Sequence, residues 1–79
     1  MAETVITVRV IRKNARAQQL LVELAQALGR KTLEADDRGV VDIRMNGRGP
    51  RAWEEVRSAL DSTGDDWRQW LHLAPRPPR

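Results

Sequence analysis

Seventy-nine residues supply one small core, and 41% hydrophobic with 32% charged residues is the balance of a folded domain. The chain has no cysteine and one histidine, which excludes a disulfide framework, a thiolate metal site, cysteine catalysis and a histidine-rich metal centre. The formal net charge is +3, and lysine appears only at Lys13 and Lys31, so arginine carries nearly all the positive charge.

The first element predicted is a strand over Thr4–Arg12. Ile6, Val8 and Val10 fall on one face, and Val5, Thr7, Arg9 and Ile11 on the other. Its density of β-branched residues suits a half-buried or central position. Asn14 is placed to cap a helix over Ala15–Leu28, because its side chain can accept from an orphan backbone N–H. Ala17, Leu20, Leu21, Leu24 and Leu28 form one apolar stripe on that helix. Gly29 follows at the position where a left-handed residue ends a helix.

Lys31–Ala35 reads as a short strand with Leu33 and Ala35 inward. Asp36-Asp37-Arg38-Gly39 reads as a type I turn with glycine in the left-handed position. The chain then returns as a strand over Val40–Met45. Val41, Ile43 and Met45 share one face of it, and Val40, Asp42 and Arg44 the other. Asn46-Gly47-Arg48-Gly49 is a loop, and Pro50 is placed as the first residue of a second helix over Arg51–Ser62. Trp53, Val56 and Leu60 give that helix its apolar stripe. Residues 65–74 fit either a helix, through Trp67, Trp70, Leu71 and Ala74, or a terminal strand, through Trp67, Gln69, Leu71 and Leu73. The strand is preferred. Residues 74–79 form a Pro/Arg-rich tail expected to be disordered, with Pro75 and Pro78 spaced as in an SH3-type ligand.

The order strand, helix, strand, strand, helix, strand predicts an α+β fold for residues 1–73. It is the ferredoxin-like, split βαβ sandwich, with both helices on one face of a mainly antiparallel sheet. The expected core is Ile6, Val8, Val10, Leu20, Leu21, Leu24, Leu28, Leu33, Val41, Ile43, Met45, Trp53, Val56 and Leu60. No segment is apolar for long enough to span a bilayer, and the first residues lack the layout of a signal peptide. The expectation is therefore a cytoplasmic protein.

Catalysis has few groups to work with, so no catalytic residue, metal or cofactor is expected. His72 alternates outward in a Leu-His-Leu run. Asp36-Asp37 and Asp65-Asp66 sit where turns and helix starts favour aspartate, without the oxygen count a calcium loop needs. The Asn46–Arg51 loop lacks the Gly-Lys-Ser/Thr ending of a phosphate-binding loop.

Two surfaces remain. With the first strand and the strand from Val40 read as parallel neighbours, both strand-to-helix loops emerge at one end. Arg12, Lys13, Arg16, Arg48 and Arg51 would gather there as an anion site. The charge distribution matches, since residues 1–31 carry six basic and two acidic groups. The other surface is the open sheet face, where Val5, Ile11 and Val40 mix with Arg9, Arg44, Asp42 and Glu34. Trp70 joins them if the last segment is a strand. A face of this character suits a protein partner or a second copy. It does not suit stacking of RNA bases, because the chain has neither Phe nor Tyr. The expected function is a small non-enzymatic interaction module acting through the sheet face. The alternative is a domain binding an anion or a nucleic-acid backbone through the basic end.

Overall fold

The computed structural model describes residues 3–76. It contains β1 (Glu3–Val10), α1 (Ala15–Ala27), β2 (Val40–Asn46), α2 (Gly49–Thr63), the single turn α3 (Trp67–Trp70) and β3 (Leu71–Leu73). The strands form one antiparallel sheet in the order β2-β1-β3, with β1 in the middle. The three-residue span Pro77–Arg79, which holds the second proline of the SH3-type pattern, lies outside the described residues.

Each element follows from local chemistry. The Asn14 side chain accepts from the Ala17 N–H at 2.8 Å and so starts α1. Gly29, at φ +70°, ends it. The N–H of Gly29 then bonds to the Gln26 carbonyl and that of Arg30 to the Ala25 carbonyl, a Schellman pair that satisfies two orphan acceptors. The turn before β2 closes through Asp36. Its carboxylate accepts from Arg38 and Val40, its carbonyl accepts from Gly39, and Gly39 adopts φ +77°. Pro50 lies in the first turn of α2, as its fixed φ and missing N–H favour.

The helices cover one face of the sheet. Ile6 and Val8 of β1 sit opposite Ile43 and Val41 of β2, and all four are buried with Met45, Leu71 and Leu73. Leu20, Leu21 and Leu24 come down from α1, and Ala52, Val56, Ala59 and Leu60 from α2. The expected core residues Val10, Leu28, Leu33 and Trp53 pack at its margin, partly buried. The alanines Ala17 and Ala25 of α1 and Ala52 and Ala59 of α2 are buried as well.

Three expectations need correction. Residues 31–35 form no strand. The turn closes, with the Asp36 N–H bonded to the Val40 carbonyl at 3.0 Å, but pairing stops there, and no strand among the described residues neighbours the outer edge of β2. The structure is therefore a small α+β domain with a three-stranded antiparallel sheet, and the four-stranded, ferredoxin-like split βαβ order expected for it is not what the described residues form. Next, β1 and β2 are antiparallel, not parallel. The turn at residues 36–39 reverses the chain immediately before β2, so that β2 runs against β1. Finally, residues 65–74 adopt both readings in succession, a turn of helix at 67–70 and a strand at 71–73. Leu71 and Leu73 alternate into the core, while Trp67 reaches it from α3. Ala74, assigned to the tail, is bound into the sheet, with its N–H on the Thr7 carbonyl and its own carbonyl accepting the Trp53 indole N–H.

Candidate interaction surface

The face of the sheet opposite the helices carries no covering element among the described residues. The register fixes what it displays. Thr7 stands opposite Asp42, Val5 opposite Arg44, and Arg9 lies between Val40 on β2 and His72 on β3. Ile11 extends the same row just past β1. Its N–H bonds to the Trp70 carbonyl, which holds its backbone in line with the strand. Val5 is 49% exposed and Ile11 48%, so the central row of this face presents two large apolar side chains to solvent. Polar groups between them are partly engaged with one another. The Thr7 hydroxyl donates to Asp42 at 3.0 Å, and Arg44 makes a loose 4.0 Å pair with Glu3. Arg9 forms no ion pair among the described residues.

Two residues expected on this face are elsewhere. Glu34 belongs to the irregular connection before the turn. Trp70 is helical, and its indole N–H reaches Asp66 at 3.3 Å, so its ring packs at the edge of the core instead of extending the open face.

The five basic residues expected to converge do not. Because β1 and β2 are antiparallel, the loop after β1 leaves one end of the sheet and the loop after β2 leaves the other. Arg12, Lys13 and Arg16 belong to the first end, and Arg48 and Arg51 to the second. Arg16 is also occupied. Its Nε and Nη2 donate to the two carboxylate oxygens of Asp66 at 3.0 and 2.7 Å. This bidentate grip, helped by the Trp70 indole, holds the Asp66 carboxyl well below its usual range, at about 2. Glu54, three residues past Arg51 on α2, pairs with Arg57 at 2.9 Å, and Arg57 also reaches Asp61. Arg12, Lys13, Arg48 and Arg51 form no ion pair among the described residues.

Asp36, Asp61 and Asp66 serve the fold. Asp36 accepts two backbone N–H bonds in its turn, which lowers its pKa. Asp61 accepts from the Trp67 indole as well as from Arg57, tying α3 to α2. Neither residue pattern nor spacing announced the Arg16–Asp66 pair, whose members are fifty positions apart.

A second concave feature runs between α1 and residues 31–36. It is an open groove of about 860 Å³ whose lining includes Val10, Leu21, Val22 and Leu33, and Val22 is 51% exposed there. Among the described residues, no group of three or more His, Asp or Glu side chains could hold a metal ion. No helix among them is long and apolar enough to cross a membrane. Comparison with protein families, with curated proteins and with solved structures finds no match for this chain.

Proposed function

We propose that this chain is a small non-enzymatic interaction module whose docking surface is the open face of its sheet. A protein partner, a second copy included, would be its ligand. One observation carries this reading: the helices lie on one side of the sheet, and the central row on the other side exposes Val5 and Ile11 beside Arg9, which forms no ion pair among the described residues. Arginine is enriched at binding hot spots, and Val5 and Ile11 supply apolar area to bury around it. Burial of one such side chain stabilises a complex by about 1–3 kcal/mol. The Thr7–Asp42 bond keeps the polar part of the face partly satisfied, so covering it strands fewer groups without partners.

The reading through an anion or nucleic-acid backbone has less support, since its cations divide between two ends of the sheet and Arg16 is bound to Asp66.

Light scattering after gel filtration, at low and high salt, tests the proposal. Association that persists in high salt, is weakened by Val5→Lys and Ile11→Lys, and survives Val22→Lys is the expected result. Loss on Val22→Lys alone would move the docking surface to the groove beside α1. Binding to mixed oligonucleotides that collapses as salt rises would favour the phosphate-backbone alternative.

A further inference from the structure

No strand among the described residues neighbours the outer edge of β2, and the hydrogen-bond pattern shows which of its groups face outward. Val10 donates to the Gly39 carbonyl at 2.7 Å, so the hydrogen-bonded pairs between β1 and β2 fall at Val8–Val41, Ile6–Ile43 and Thr4–Met45. The N–H and C=O groups of Val40, Asp42, Arg44 and Asn46 then point away from β1. Asp36 satisfies both groups of Val40. The Arg30 guanidinium covers the Arg44 carbonyl. Among the described residues nothing bonds to the N–H or C=O of Asp42 or to the N–H of Arg44. An open edge of this kind is a template for another strand.

We propose that this edge pairs antiparallel with the same edge of a second copy, in the register centred on Ile43, so that two three-stranded sheets join into one of six strands. The side chains select the register. A two-fold axis at Ile43 sets Asp42 opposite Arg44 of the second copy and Arg44 opposite its Asp42, giving two opposite-charge pairs on the open face. Centring on Asp42 or on Arg44 would set like charges face to face. In the Ile43 register, Asp42 and the second copy's Arg44 exchange both backbone bonds, as do Arg44 and the second copy's Asp42. The exposed Arg30 side chain swings aside to release the Arg44 carbonyl. Pairing ends at Val40, where Asp36 already occupies the edge. The ladder is short, and the dimer belongs to the weak, reversible class. It is independent of what docks on the open face, and it doubles that face.

The test is charge reversal read by sedimentation equilibrium, with amide exchange followed by NMR. In the unaltered protein, the Asp42 and Arg44 amides gain protection as concentration rises. Asp42→Arg places like charges in both cross-strand pairs and weakens association by about tenfold or more. Combining it with Arg44→Asp restores opposite charges and brings the dissociation constant back to within about threefold of the original. Ile11→Lys leaves the Asp42 and Arg44 protection in place. A protein monomeric at about 1 mM overturns the proposal. So does association indifferent to Asp42→Arg but abolished by Ile11→Lys, which would leave the open-face reading standing. Failure of the double variant to recover, although folded by circular dichroism, rejects the Ile43 register.

Discussion

Three side-chain interactions fasten the C-terminal segment of this protein. Asp66 receives the Arg16 guanidinium from α1, Asp61 receives the Trp67 indole, and the Ala74 carbonyl receives the Trp53 indole. Together they anchor a terminal strand of three residues, too short to hold itself by its ladder. The pH dependence follows from Asp66. Its folded pKa is depressed, so its stabilising effect is complete above the ordinary aspartate value of 3.8 and is lost as pH falls towards about 2. Asp66→Asn is expected to lower Tm at neutral pH and to flatten the decline of Tm across that acid window. Thermal melts at stepped pH check both. Trp53→Phe keeps most of the apolar area and removes one partly buried donor from the Ala74 carbonyl. The expected cost is about 1 kcal/mol. Relative to the unaltered protein, amide exchange is expected to speed up more at Ala74 and His72, whose N–H groups face β1, than at Ile6, which would show that the loss loosens the edge strand before the sheet centre.

At the scale of elements, the positions with local causes were legible. Asn14 and Gly29 bracket α1, the Asp36–Gly39 turn precedes β2, and the alternation of β1 separates Ile6 and Val8 from Val5 and Thr7, as the pattern requires. Gly39 shows how closely one of these signals is bound to the tertiary fold. At φ +77°, an added Cβ would lie 3.3 Å from the Val10 carbonyl oxygen, which itself belongs to the end of β1. Gly39→Ala therefore combines left-handed strain with crowding of a backbone atom that cannot move away cheaply. It is expected to cost about 1–2 kcal/mol, read as a lower urea midpoint at unchanged slope. The misread elements were those decided at a distance. Lys31–Ala35 has Thr32 as its only β-branched residue, and its partly buried Leu33 packs against the core. Nothing local showed that pairing would stop at Asp36. Residues 65–74 carried two periodicities because they contain two elements, each too short to dominate a window. Of the candidate surface, Val5, Arg9, Ile11, Val40 and Arg44 were legible from alternation alone. Trp70 was not, because its position depends on a helical turn ending one residue before β3 begins.

The whole molecule separates its charges in a way the chain order conceals. Arg12 and Lys13 lie beyond the C-terminal end of β1. Arg48 and Arg51 lie beyond that of β2, and antiparallel pairing sends these ends in opposite directions. A seven-residue strand is about 20 Å long, two or more screening lengths at physiological salt. The two groups should therefore act independently. Arg12→Gln and Arg48→Gln are each expected to change stability by less than about 0.5 kcal/mol, as exposed substitutions away from ion pairs do. The double variant is expected to show their sum to within about 0.3–0.5 kcal/mol, at low as well as at moderate salt. Arg16→Gln belongs to a different class. It removes the partner of Asp66 and is expected to lower stability at neutral pH, with little further loss when Asp66→Asn is added to it. A convergent basic cluster would behave in the opposite way on every count. Removing any one of its cations would stabilise the protein in low salt, the double variant would gain less than the sum, and Arg16→Gln would join the stabilising set. Urea denaturation of the four single variants and the two pairs, at two salt concentrations, decides between one basic end and two.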